Sequence, residues 1–199
     1  ILGEVRVTSV PLIVNRLLVP ALGALLARHP KLSVELVPES RDVDLLRREA
    51  DIALRLARPS RGGLRVKASK IGELSYAVYA PREAAASALR ALPWIGYGDA
   101  MAELPQAQWI DRLGKGARRS GLRVEDVETA LQAVRAGLGK TLLPRAVGDR
   151  DAGLRRLDAP GGQPFPRREV WLLGREDRLR LRSVRAVAEW IRSEVSFAP

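Results

Sequence analysis

The chain of 199 residues has no cysteine, one histidine, one methionine and only 5% aromatic residues. Without cysteine there are no disulfides and no thiolate metal sites, an absence that suits a reducing compartment and so a cytoplasmic setting. With His29 alone, the usual zinc sites and Ser-His-Asp chemistry lose most of their candidates, and the sequence calls for no metal and no cofactor. His29 precedes Pro30 at the end of a helix-like run, where an imidazole can meet the last carbonyls. Paired-carboxylate and phosphate-loop motifs are also missing, so an enzyme is the least favoured class. No apolar run approaches the roughly 18 uninterrupted residues of a membrane span. The N-terminus, Ile1-Leu2-Gly3-Glu4-Val5-Arg6, lacks the basic region and apolar core of a signal peptide. The expectation is a soluble chain with no export signal and no membrane partner. Since it starts without Met, it reads as a piece of a longer protein.

What is plentiful is apolar and basic. Hydrophobic residues at 46% suffice for a packed core in one large domain or two small ones. The net charge of +11 invites a nucleic-acid reading. Against it, the cations are 29 Arg and five Lys spread over the whole length, and the few aromatics are scattered. A compositional bias toward arginine explains the charge better.

Glu4-Val5-Arg6-Val7-Thr8 alternates as a half-buried strand, and Ser9-Val10-Pro11 is a helix start with a capping hydroxyl and an early proline. Ile13, Leu17, Leu18, Leu22, Leu25 and Leu26 follow at helical spacing, with Pro20 expected to kink or restart the helix and Pro30 to end it. A strand at 32–37, a helix at 42–49 and a strand at 51–56 complete a β-α-β-α-β order, which demands a parallel sheet. After a glycine-rich loop at 61–63 come strands at 66–71 and 74–79, and the pattern restarts. An alanine-rich helix at 82–92, a strand at 94–97, a helix at 105–113, a strand at 122–125 and a helix at 127–136 are expected in turn. Short strands follow at 142–143 and 154–157. Asp158 to Pro166, rich in glycine and proline, reads as a connection to a buried strand at 169–173 and a final helix at 178–195, with Leu181 and Val184 on its apolar face. The plan is α/β and two-lobed, with a cleft between the lobes.

Several residues are candidates for binding. Arg55 sits at the carboxyl end of the third strand, where open α/β sheets bind small ligands, although an Arg there equally caps a neighbouring carboxylate or points into solvent. Helix starts favour anionic groups. At the Thr8-Ser9-Val10-Pro11 turn, Ser9 either hydrogen-bonds a ligand carboxylate or caps its own helix. At Asp126-Val127-Glu128-Thr129, either Asp126 or Thr129 is the cap, Thr129 and Gln132 match a capping box, and the acidic residues oppose an anion. Gly137-Leu138-Gly139-Lys140-Thr141 has the ending of a phosphate loop but follows a helix and lacks the leading glycine, so a glycine-closed helix end accounts for it. The basic run 112–123, with Lys115, Arg118 and Arg119, reads as a solvated loop rather than a DNA contact. Trp94, Trp109, Trp171 and Trp190 read as core or dimer surface.

Five fragments in order resemble one family. They are Gly3-Glu4-Val5-Arg6-Val7-Thr8, Leu18-Val19-Pro20-Ala21-Leu22, Arg28-His29-Pro30, Ala50-Asp51-Ile52-Ala53-Leu54-Arg55, and Ala136-Gly137-Leu138-Gly139 followed by Leu142-Leu143-Pro144. Together they are similar to the effector-binding domain of LysR-type transcriptional regulators. The resemblance implies a fold like the type 2 periplasmic binding proteins: two Rossmann-like subdomains with a central cleft, the last strand and helix returning to the first. It implies regulatory subdomain I at 1–72 and 166–199 and subdomain II at 73–165. It also implies a small-molecule effector lined by Ser9, Val10, Pro11, Arg55, Gly96, Tyr97, Val127 and Thr129, a homodimer or homotetramer, and DNA contact only through an N-terminal winged helix-turn-helix that this sequence does not contain. Pro11 and Leu12 depart from the small polar groups many members carry at that turn. A solute-binding protein of a transport system is the alternative, since a shared fold does not fix function. Arg55 and the two helix starts favour a small carboxylate as effector.

Overall fold

Alternation of polar and apolar residues makes β1 (Leu2–Ser9) a strand whose Val5 and Val7 are fully buried. In a computed structural model of the chain, which describes residues 1–40, 50–59 and 65–199, β1 lies between two parallel neighbours, β2 (Lys31–Pro38) and β3 (Ile52–Arg55). The helix expected at 42–49 and the glycine-rich loop at 61–63 lie outside the described residues. The chain divides into two compact units, Ile1–Glu73 with Glu169–Phe197 and Leu74–Arg168 with Ala198–Pro199. Both are α/β, the class read from the sequence.

In the first unit, the crossover from β1 to β2 is one helical run made of α1 (Pro11–Ile13), a π-helical turn (Val14–Leu18) and α2 (Val19–Arg28). Pro20 does not break this run. Proline cannot donate to the preceding turn, and the wider π turn just before it, closed by the Val19 N–H on the Val14 carbonyl, accommodates the defect. The run is long and apolar enough to cross a membrane by length and composition. Ile13, Leu17, Leu18 and Leu25 are nevertheless buried within this unit, as in a core helix. At its end, the backbone N–H of His29, rather than its imidazole, meets the carbonyls of Leu25 and Leu26. β9 (Arg167–Arg175) continues this sheet antiparallel to β3, setting Leu173 opposite Ala53.

In the second unit, the far half of β4 (Val66–Pro81) pairs antiparallel with β7 (Thr141–Pro144) and β8 (Leu154–Leu157). A parallel pair, β5 (Trp94–Tyr97) and β6 (Arg119–Val124), stands beside α3 (Pro105–Asp111) and α4 (Val127–Arg135). The end of α4 is the one expected: Gly137, at φ +81°, and Leu138 return hydrogen bonds to Val134 and Ala133, a glycine closure and not a phosphate loop.

Four expectations need correction. The strands expected at 66–71 and 74–79 are one 16-residue strand, β4. Gly72 makes no turn there; it admits the Phe197 ring, whose nearest atom would lie 3.0 Å from an added Cβ. The helix expected at 82–92 is only a 3₁₀ turn at Ala86–Ala88. Its alanines are mostly exposed and bring little burial to hold a helix, and a helix that short is marginal alone. Lys140, buried on the Trp94 ring at 5.0 Å, instead takes up the carbonyls of Leu89 and Arg90. The basic run 112–123 is not all loop, because Arg119–Val124 is β6, with Arg119 Nη2 on the Ile110 carbonyl at 2.9 Å. The final helix is broken into α6 (Glu176–Leu179) and α7 (Arg182–Glu194). Leu181 is extended between them and 42% exposed, while Val184 and Ile191 are buried as the spacing requires.

Candidate functional site

In each unit, two parallel strands end side by side, the placement that presents backbone ends and the following turn to a ligand. In the first unit these are β1 and β3. Val7 and Thr8 stand opposite Ile52 and Ala53, so Ser9 and Leu54 come next in register. Ser9 is fully buried and its hydroxyl donates to the Leu54 carbonyl at 3.3 Å. It does not cap its helix: the cap residue is Val10, with no side-chain hydrogen bond. Arg55 Nη1 donates to the same Leu54 carbonyl at 3.3 Å. Ser9 and Arg55 therefore meet at one atom, while Val10 and Pro11 are half-buried beside them in sequence.

In the second unit the paired ends are β5 and β6, with Gly96 opposite Arg123 and Tyr97 opposite Val124. Gly98 N–H on the Val124 carbonyl, at 2.9 Å, ties the two ends together. The turn beyond β6 starts α4, and Asp126 is its cap. Asp126 accepts from the Thr129 backbone N–H at 2.8 Å and from the Thr129 hydroxyl at 2.6 Å. Thr129 is thus held by the cap, and Gln132 reaches Glu128 instead of closing a box. Asp126→Ala is expected to lower stability by about 1 kcal/mol, the usual cost of a lost cap, read as a lower urea midpoint for the chain. Val127 is half-buried and Thr129 exposed.

Tyr97 is the more informative residue. It is 7% exposed, and its hydroxyl has no hydrogen-bond partner among the described residues. Burial, then Tyr76 and the Asp126 carboxylate, push the phenol well above its ordinary value of 10.0. It is therefore a neutral donor throughout the physiological range. The Tyr76 phenol is raised by the same burial, with the Arg168 guanidinium opposing the shift. Tyr76 and Arg168 carried no signal in the sequence: one sits inside an apolar strand, the other is one arginine among 29. A cavity of about 420 Å³ in this unit is lined by Tyr76, Arg145, Arg156, Leu157 and Phe165, among others.

A chain of two such α/β units has the architecture of the type 2 periplasmic-binding-protein fold. Comparison with known proteins narrows this. The profile of the LysR substrate binding domain matches residues 2–196, and the chain belongs to that family. It is similar to the Mau operon transcriptional activator of Paracoccus denitrificans, 32% identical over 198 residues. That match takes in 95% of this chain and 64% of the relative, so the chain spans less than two thirds of that protein's length. Among solved structures, the regulatory domain of CrgA from Neisseria meningitidis superposes with a TM-score of 0.80 at 19% identity, covering 98% of this chain and all of that one. The effector domain of AmpR from Pseudomonas aeruginosa gives 0.70 at 21% identity, covering 96% and 95%. These relatives are transcriptional regulators, the chain is a LysR substrate binding domain, and the transport alternative gains no support.

Proposed function

We propose that this domain binds a small organic anion, a carboxylate, and passes its state to a DNA-binding segment elsewhere in the whole protein. The observation that carries this reading is the convergence of Ser9 and Arg55 on the Leu54 carbonyl at the ends of adjacent parallel strands. A guanidinium held there is positioned to pair with a carboxylate through charge-assisted hydrogen bonds. Val10, Pro11, Gly96, Tyr97, Val127 and Thr129 complete the set of effector-lining residues, with Tyr97 offering a neutral donor. The two units serve as regulatory subdomains I (1–72 and 166–199) and II (73–165). The effector acts by population shift, favouring one of two arrangements of the regulator. The domain works as a homodimer or homotetramer in the cytoplasm, and it is a sensor without catalytic activity of its own.

A thermal-shift screen of small carboxylates, amino acids and neutral aromatics against the 199-residue chain tests this. A ligand that binds only the folded state stabilises it by about 2.7 kcal/mol at a hundredfold excess over Kd. Carboxylates are expected to raise Tm in the parent and Arg55→Ala to abolish the shift. A carboxylate that stabilises Arg55→Ala as fully as the parent overturns the assignment.

A further inference from the structure

The second unit carries a separate concavity of about 680 Å³ formed by the end of β4, the turn after α5 (Arg145–Gly148) and β8. Its floor is the Tyr79 ring, packed so closely under Gly148 that an added Cβ would lie 2.3 Å from the ring. The two carboxylates at its rim are already engaged. Asp149 accepts from the Tyr79 hydroxyl at 2.6 Å, from Arg145 Nε at 3.1 Å and from Arg156 Nη1 at 3.0 Å, and Asp151 pairs with Arg135 at 3.5 Å. Arg82, Arg150 and Arg155 also line the concavity. None of these three has a carboxylate partner among the described residues, and Arg150 Nη2 meets only a neutral carbonyl, that of Ala198.

Guanidiniums from three separate stretches of chain thus face one hollow whose own negative charge is spent. Charges of one sign gathered in a concavity focus the local field and raise the concentration of counter-ions there. The guanidinium fork also matches phosphate geometry through paired hydrogen bonds. A single carboxylate would leave most of this charge unmatched, whereas each phosphoryl group brings about 1.5 to 2 negative charges at neutral pH. We propose that this hollow binds a small ligand bearing two or more phosphoryl groups, at a site distinct from Ser9, Arg55 and Tyr97. Arg82, Arg150 and Arg155 hold the phosphoryl oxygens, and Asp149 fixes Arg156 and the Tyr79 floor.

Isothermal titration of the 199-residue chain with inorganic pyrophosphate at about 0.15 M salt, where surface charges are largely screened, tests the site. One pyrophosphate is expected per chain, and Arg82→Ala/Arg155→Ala should weaken it at least about tenfold, since each removes charge-assisted hydrogen bonds to the phosphoryl oxygens. Arg82→Lys/Arg155→Lys keeps the charge but not the fork and should fall between the two. Arg112→Ala/Lys115→Ala, exposed residues outside the hollow, should leave affinity within about twofold, by the same reasoning that distant surface charges are screened. Should the double alanine variant fail to fold, Arg82→Ala alone, at an exposed position, is expected to weaken binding measurably. No binding to the parent, equal losses in the Arg112/Lys115 control, or a short DNA duplex binding through Arg82 and Arg155 where pyrophosphate does not, would each overturn the proposal.

Discussion

Trp109→Ala should cost the chain about 3–5 kcal/mol of stability, the range for truncating a large buried aromatic. The ring is fully buried on α3, with its centroid 5.8 Å from that of Trp94 and 5.6 Å from that of Phe165. Its Nε1 donates to the Pro164 carbonyl at 2.8 Å. One side chain therefore holds β5, α3 and the proline-rich connection together, and truncation both empties the space and orphans a carbonyl. Trp109→Phe keeps the stacking and loses the hydrogen bond, with some loss of fill, so its cost should be nearer about 1–2 kcal/mol. Urea denaturation followed by circular dichroism measures both. A loss below about 1 kcal/mol for the alanine variant, well under the usual range, would show that the connection is held by something else.

Asp51→Ala is expected to cost about 2–3 kcal/mol. This carboxylate, at the entry to β3, accepts from the Arg6 backbone N–H at 2.9 Å and from Arg178 Nε at 2.6 Å. It is only 13% exposed, whereas Arg178 is 38% exposed and can turn to water. The main penalty is therefore the Arg6 N–H left without an acceptor, and Asp51→Asn, which keeps one, should lose about half as much. The same denaturation experiment decides: equal losses for alanine and asparagine would place the energy in the ion pair instead.

Asp51 also shows what was legible in the sequence. Ala50-Asp51-Ile52-Ala53-Leu54-Arg55 announced a strand end with a cation because apolar run and charge change over a single residue, and β3 with Arg55 at its end followed. Where periodicity was strong, as in β1 and α4, elements stood where expected. Where it was weak, neighbours decided. The alanines of 82–92 are mostly exposed and Lys140 takes up carbonyls there, while the strands expected at 66–71 and 74–79 run on as one through Gly72, which leaves room for Phe197. Ser9 and Arg55 could be named from strand ends and helix starts, but their meeting at Leu54 depends on the parallel register of β1 and β3. The Thr129 hydroxyl, read as a candidate ligand contact, is bound to its own cap. Arg82 and Arg155 are far apart in sequence and reach one hollow only through the antiparallel pairing of β4 with β8.

The first unit is stitched from the beginning and the end of the chain, with the second unit's sequence between them. During translation, β3 must wait with an open edge until β9 leaves the ribosome, and such edges invite intermolecular pairing. The intervening segment is nearly continuous and is free to fold meanwhile. A nascent chain stalled before Arg167 would therefore carry a nearly finished second unit attached to a first unit lacking the strand that covers it, and chaperone capture should peak in that interval.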